Sequence, residues 1–164
     1  MSTLYLVSTP IGNLEDITLR ALRVLKEVSL IASEDTRTTR QLLKHYGIRA
    51  RITSYNDHNK SKKLPGILSA LQVGDLALTS EAGTPVVSDP GMELVSAAVS
   101  QGATVVAVPG PSAVTAALAV SGFHATPSLF LGFLPSRPGE RRKLLRHFAS
   151  LPFNLVVFEG PHRL

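Results

Sequence analysis

Five short runs of mostly apolar and β-branched residues recur through the first 108 positions: LYLVS at 4–8, VSLIAS at 28–33, ARITSY at 50–55, DLALTS at 75–80 and ATVVAV at 103–108. They lack the strict alternation of a strand with one wet face, so they read as strands covered on both sides. Helical segments separate them. From Asp16, read as an N-cap, to Lys26, the residues Leu19, Leu22, Val24 and Leu25 make an apolar side, and Arg20, Arg23 and Lys26 face water. Gly47 closes the next helix, Gly102 closes the one at 92–101, and an Ala-rich helix ends at Gly122. The segment before DLALTS is polar at first, and Pro65 places the start of its regular helix near residue 65. Buried strands alternating with helices predict an α/β fold, a parallel-rich sheet flanked by helices on both faces.

The rhythm breaks at FHATP, residues 123–127. A domain boundary is expected there, with an N-terminal α/β domain over 1–122 and the beginning of a second α/β domain over 123–164. The second unit contains one strand, one charged helix and one strand. So small a set rarely holds a core by itself. It is expected either to pack on the first domain or to be an incomplete piece of a larger one.

Composition narrows the chemistry. The 164 residues include no Cys, so disulfides and thiolate metal sites are excluded. Five scattered His without paired spacing argue against a metal centre. No apolar run approaches the roughly 18–20 residues of a membrane span, and MSTLYLVSTPIGN lacks a basic segment ahead of its apolar run. The N-terminus therefore reads as a first strand, and the absence of Cys points to a reducing compartment. The net charge is +5, and 11 of the 17 basic residues are Arg, the side chain best suited to bidentate phosphate contact. Arg137, Arg141, Arg142, Lys143 and Arg146 form one cluster, and Lys60, Lys62 and Lys63 another. An anionic macromolecular partner is the expectation.

Three turns stand where the carboxyl ends of parallel strands are expected: STPIGNLED at 8–16, SEAGTPVVSDPG at 80–91 and PGPSA at 109–113. Ligands bind outside those ends in open α/β sheets. Glycine lets backbone approach a ligand, and proline fixes the loop in advance. PGPSA alone is also an ordinary helix entrance. Thr79 to Gly91 is longer than a simple connection requires. No dinucleotide fingerprint and no P-loop lysine is present. The acids remain open between two uses. Glu34 and Asp35 either orient a ligand hydroxyl or cap the helix that follows, and Glu81 and Asp89 either bind a substrate or tie the loop to its own amides.

Taken in order, TPIGN, EDTR, GTPVVSDPG, VPGPSAVTAAL, GFLP and FEGPHRL resemble the tetrapyrrole-methylase-type methyltransferases that use S-adenosylmethionine. Within that family they are most similar to the branch acting on the ribose 2′-oxygen of a cytidine in 16S ribosomal RNA. The resemblance covers essentially the whole chain. TPIGN, EDTR and GTPxxSDPG together are specific to the branch, whereas PGPSA is shared more widely. It implies a two-domain fold with the donor between the domains, a homodimer in the cytoplasm, and the small ribosomal subunit or its RNA as partner. By motif position it implies donor contacts from Pro10, Ser80, Glu81, Ala82, Gly83, Thr84, Ser112 and Ala113. From the second domain it implies Phe133, Leu134, Phe158, Glu159 and Pro161. Family chains continue past PHRL, so this one reads as a truncation. Two further departures are Glu81 where Asp is frequent and Gly160 where Ser is usual.

Methyl transfer from a sulfonium requires in-line alignment and exclusion of water, with neither metal nor covalent nucleophile. A 2′-hydroxyl is a weak nucleophile, so a proton acceptor should assist it. Asp35, Asp89 and Glu159 are the candidates, and Arg37, Arg40, Arg141 and Arg142 are candidate RNA contacts. Two other readings stay open: the same fold acting on a tetrapyrrole or other small molecule, and a piece that dimerises or binds RNA without turnover.

Overall fold

A computed structural model describes residues 2–163, the side chain of Pro161 excepted. The chain divides into two compact units, Met1–Ser112 and Ala113–Leu164. The helix Ala113–Val120 is thereby grouped with the second unit, whereas the boundary expected from sequence follows that helix.

The first unit is built on five strands: β1 (Thr3–Val7), β2 (Leu30–Ser33), β3 (Ile52–Ser54), β4 (Leu76–Thr79) and β5 (Thr104–Val108). They form one sheet in the order β3-β2-β4-β1-β5, and every pairing is parallel. Four helices connect them: α1 (Leu19–Glu27), α2 (Thr36–His45), α3 (Lys60–Val73) and α4 (Met92–Ser100). Side chains of successive strand residues point to opposite faces. Val7, Ile31, Ala77 and Val108 pack with Ala21, Val24 and Leu25 of α1 and Leu42 and Leu43 of α2. Leu4, Ala32, Leu76 and Leu78 pack with Ile67 and Leu71 of α3 and Leu94 and Ala98 of α4. These two cores are the sheet covered on both faces that the apolar runs predict.

The order of the strands decides where a crevice forms. The connections from β1 to β2 and from β2 to β3 run toward one edge of the sheet, and those from β3 to β4 and β4 to β5 run back. Crossovers of one hand put the two pairs of helices on opposite faces, as the two cores show. β4 therefore sends its chain to one face, while β1 and β2 on either side send theirs to the other. Loops that part in this way leave space above the carboxyl ends.

Two helix starts differ from the sequence reading. Thr18, rather than Asp16, caps α1: its hydroxyl accepts the Ala21 amide at 3.0 Å. Asp16 belongs instead to a short 3-10 turn, Leu14–Asp16. α3 begins at Lys60, five residues ahead of Pro65. The early start is held from outside, because Lys60 Nζ lies 3.0 Å from Asp57 Oδ1 and 2.5 Å from Glu93 Oε1 on α4. Pro65 lies inside the helix, where it lacks the amide that would bond Ser61 O. Gly47 terminates α2 as expected, at φ 63°. Its amide bonds Lys44 O and the Ile48 amide bonds Leu43 O at 2.8 Å, a Schellman turn.

The second unit contains α5 (Ala113–Val120), β6 (Ser128–Phe133), α6 (Pro138–Phe148) and β7 (Asn154–Phe158). β6 and β7 pair in parallel, with Leu129 beside Leu155 and Phe130 beside Val156. Every residue of the two strands keeps some exposure, and α5, apolar nearly throughout, has no buried residue. No helix among the described residues is long and apolar enough to cross a membrane.

Candidate functional site

The carboxyl ends of β1, β2 and β4 carry hydroxyls where the strand interiors carry hydrocarbon. Ser8, Thr9, Ser33, Thr79 and Ser80 are all buried, and so is Thr39 from α2. Most are satisfied among themselves. Ser33 and Thr39 share a 2.7 Å hydrogen bond, and Thr39 lies 3.4 Å from the Thr79 hydroxyl. Ser8 and Thr84 hydroxyls lie 3.1 Å apart. The exception is Thr9, whose Oγ1 is buried with no protein partner. A buried hydroxyl without a partner costs about 1–3 kcal/mol, so Thr9 Oγ1 is a candidate to bond a water or a ligand group.

Thr9 lines a cavity of about 180 Å³ together with Pro10, Ser80 and Glu81 from the two loops and Thr38 and Thr39 from α2. Small-molecule sites usually begin near about 300 Å³, so this cavity is sized for part of a ligand. Its two loops are tied to each other, since Thr9 and Gly83 exchange both amide hydrogen bonds. A Cβ on Gly83, at φ 77°, would sit 3.4 Å from the Ile11 side chain. Across the sheet, Thr84 Oγ1 lies 3.4 Å from Pro111 O, which joins the long loop to PGPSA. A Cβ on Gly110 would come within 3.0 Å of Ser8 Cβ. The three Gly/Pro turns are thus one packed assembly.

The long loop is strained as well as long. Val86 and Ser88 both occupy the left-handed region, at φ 73° and 67°, a conformation that costs a residue with a side chain on the order of 1 kcal/mol or more. Gly91, at φ 146°, is pressed against Leu78 and Val86, where a Cβ would lie 2.7 and 2.8 Å from their methyl carbons. That packing carries the chain from the carboxyl end of β4 into α4.

Acids surround Ser80. Glu34 Oε2 accepts the Glu81 amide at 3.1 Å. Burial raises the Glu34 carboxyl above its ordinary range against the pull of that amide, and the charges of Glu81, Asp57 and Asp35 add to the rise. Asp89 is pushed up to about 6, first by burial and then by the Glu34 charge; a hydrogen bond with Ser80 works against this and Glu81 adds to it. Asp35 is different. It caps α2 through the Arg37 amide at 2.7 Å and meets the Arg37 guanidinium at 2.7 Å, contacts that hold its carboxyl down to about 2. Three crowded carboxylates favour a cationic ligand over a phosphate.

Of the remaining candidates in the first unit, Ala82 is exposed and Ser112 half-buried, while Arg37 and Arg40 stand exposed on α2. In the second unit Ala113 opens α5, and the rings of Phe133 and Phe158 meet edge to face at 5.4 Å. Leu134 is buried, its amide bonded to Phe158 O at 3.3 Å. Glu159 is half-buried as a residue, with its carboxylate covered beside Arg163 at 2.5 Å, its Oε1 also accepting the Gly160 amide and its Oε2 without a partner among the described residues. Phe133, Leu134, Phe158 and Glu159 therefore gather at the carboxyl ends of β6 and β7. The side chain of Pro161 lies outside the described residues. Arg141 reaches back to Pro135 O at 3.3 Å, and Arg142 is exposed on α6. Among the described residues no group of His, Asp and Glu is arranged to hold a metal ion. Sequence reasoning missed Thr9 and Ser8; a Ser-Thr pair at the end of an apolar run was the available signal.

The sequence profile of the Tetrapyrrole (Corrin/Porphyrin) Methylases matches residues 3–164. The chain is 52% identical over 162 residues to the Ribosomal RNA small subunit methyltransferase I of Mesorhizobium japonicum, covering 98% of this chain and 55% of that protein. It is 46% identical to the protein of the same name from Halalkalibacterium halodurans, covering 99% and 56%. To that from Thermotoga maritima it is 49% identical, covering 100% and 74%. The chain therefore spans little more than half the length of the first two of these relatives. Among solved structures, uroporphyrin III C-methyl transferase from Thermus thermophilus superposes with a TM-score of 0.66 at 25% identity, over 99% of this chain and 72% of that one. Diphthine synthase gives 0.80 at 15% identity, over 98% and 65%, a likeness of fold.

Proposed function

The chain belongs to the tetrapyrrole methylase family, and from that premise we propose that it is the donor-binding part of a methyltransferase that moves the methyl of S-adenosylmethionine to the ribose 2′-oxygen of a cytidine in 16S ribosomal RNA. The observation that carries this reading is identity of 46–52% to relatives named for the small-subunit RNA. Their substrate class suits a chain of net charge +5. The small ribosomal subunit, a homodimeric state and a cytoplasmic location go with the same reading.

The residues at the strand ends fit the donor chemically. S-adenosylmethionine carries a sulfonium and an ammonium cation and arrives with its methyl already activated. Glu34, Glu81 and Asp89 supply the negative surroundings for those cations, and the Thr9 hydroxyl is a hydrogen-bonding group with no internal use. In this proposal Pro10, Ser80 to Thr84 and Ser112 of the first unit are donor contacts, as are Ala113, Phe133, Leu134, Phe158, Glu159 and Pro161 of the second. Asp89 accepts the proton of the 2′-hydroxyl, because a carboxyl held near 6 is both largely ionised at neutral pH and a usable base. Asp35 positions α2 and Arg37, its own proton affinity being too low for the same task. Glu159 faces the donor.

Calorimetry with S-adenosylhomocysteine tests the donor site. Binding with no comparable heat from ATP is expected; equal binding of ATP, or none of either, would remove the basis for the proposal. Methylation of a tetrapyrrole is the second reading, supported by the 25% identity to uroporphyrin III C-methyl transferase. The higher identity of the ribosomal relatives ranks it second.

A further inference from the structure

On the far side of α2 from the strand-end cavity lies a second and larger groove, about 680 Å³. It runs between the end of α2 and β3 at the sheet edge. Leu43, Ile48 and Ile52 make its floor, and Arg40, Lys44 and Arg49 stand around it. The Schellman turn at Gly47 creates this form. It reverses the chain so that Ile48 packs onto the core while Arg49 is left exposed beside Lys44. Arg40 and Lys44 are one helical turn apart and so share a face. No carboxylate lines the groove, and among the described residues none of the three cations is ion-paired; Arg40 reaches only the Thr36 hydroxyl, at 3.4 Å. A neighbouring cavity of about 510 Å³ shares Ile48 and adds Lys26 and the Arg23–Glu27 pair, so the positive face continues toward α1.

Three unpaired cations over an aliphatic floor suit a chain of phosphates joined by sugars. No aromatic ring lines the groove, so the stacking that single-strand readers use to grip bases is missing. Resting on the RNA substrate proposed above, we infer that this groove seats the ribose–phosphate backbone of a single-stranded or looped RNA segment, without reading its bases. α2 is then shared: Thr38 and Thr39 face the strand-end cavity and Arg40 and Lys44 face the RNA.

The test is fluorescence anisotropy with a labelled single-stranded RNA 12-mer of mixed sequence, titrated at several KCl concentrations between 50 and 200 mM. The variant K44Q/R49Q is compared with K62Q/K63Q, which removes the same charge from α3 on the opposite face. Binding by K44Q/R49Q is expected to fall about tenfold or more, and its plot of log affinity against log salt to flatten by about 1.4, two contacts at about 0.7 each. The α3 variant should keep most of the parent's affinity, and a poly(U) probe should bind within a few-fold of the mixed one. Equal affinity and slope in K44Q/R49Q and the parent would overturn the inference, as would a loss no greater than that of K62Q/K63Q. Binding to phosphatidylserine vesicles but not to RNA would overturn it too. If the double variant fails to bind S-adenosylhomocysteine or loses its helical circular dichroism, K44Q and R49Q singly decide, each expected to flatten the slope by about 0.7. Because no step requires turnover, RNA held in this groove by a protein that transfers no methyl would sink the proposed function and leave the groove standing.

Discussion

Thr9 and Gly83 lie 74 residues apart in sequence and exchange both backbone hydrogen bonds, Thr9 N to Gly83 O at 2.9 Å and Gly83 N to Thr9 O at 3.0 Å. This single antiparallel bridge joins two loops that leave neighbouring parallel strands for opposite faces of the sheet. It ties the loop after β1 to the loop after β4 and leaves Thr9 lining the cavity beside it.

The Thr9 hydroxyl is buried and unused by the protein, so replacing it should separate stability from binding. Thr9→Val keeps the shape and removes the polar atom. Its unfolding free energy from urea denaturation should match or exceed the parent's, by up to about 1 kcal/mol, while affinity for S-adenosylhomocysteine drops about tenfold. Paired urea titrations and calorimetry check this; a variant that loses stability and keeps affinity would show the hydroxyl to be structural.

Gly91 tests the packing of the long loop. A methyl group there must displace Leu78 and Val86 and adopt φ 146°. Gly91→Ala should therefore destabilise the first unit by about 2–3 kcal/mol or more, read as a lowered denaturation midpoint. Gly66→Ala, in open space within α3, is the matched control and should cost nothing.

Asp89 gives a pH dependence of known sign. Its folded carboxyl sits near 6, above the ordinary value near 4. Below about pH 4 both folded and unfolded chains hold the proton. Between about 4 and 6 only the folded chain holds it, so stability falls as pH rises through that window and levels off above it. Glu34 shifts in the same direction. Asp35 works oppositely, its contribution being lost as pH falls from about 4 toward 2. Asp89→Asn cannot ionise. Its stability relative to the parent should grow from pH 4 to pH 6 by about 1 kcal/mol, allowing for the half-exposed site, and stay constant above. In the proposed role the same variant loses about 100-fold in methyl transfer. A pH-independent stability difference, or full activity, would contradict this account of Asp89.

The sheet and its two cores were legible in the sequence because each buried strand is a short apolar run bounded by turn residues, and Gly47 ends its helix where the sequence places the stop. The starts of α1 and α3 were less legible. One is decided by a hydroxyl two residues beyond an equally good acid, the other by Lys60 finding Glu93 on a helix 33 residues away. The site was visible as three Gly/Pro turns. Its acid cluster was visible only as single residues, since Glu34, Glu81 and Asp89 come together through the pairing of β2 with β4. The basic groove was obscured for the same reason: Arg49 lies beyond a turn whose geometry, rather than its composition, brings it beside Lys44.

The most direct measurement is methyl transfer from labelled S-adenosylmethionine to small ribosomal subunits lacking the modification, followed by nucleoside mass spectrometry of the 16S RNA. The account predicts label in 2′-O-methylcytidine, reduced about 100-fold by Asp89→Asn. Label on a base carbon or nitrogen, or label in a tetrapyrrole acceptor and none in RNA, would contradict it.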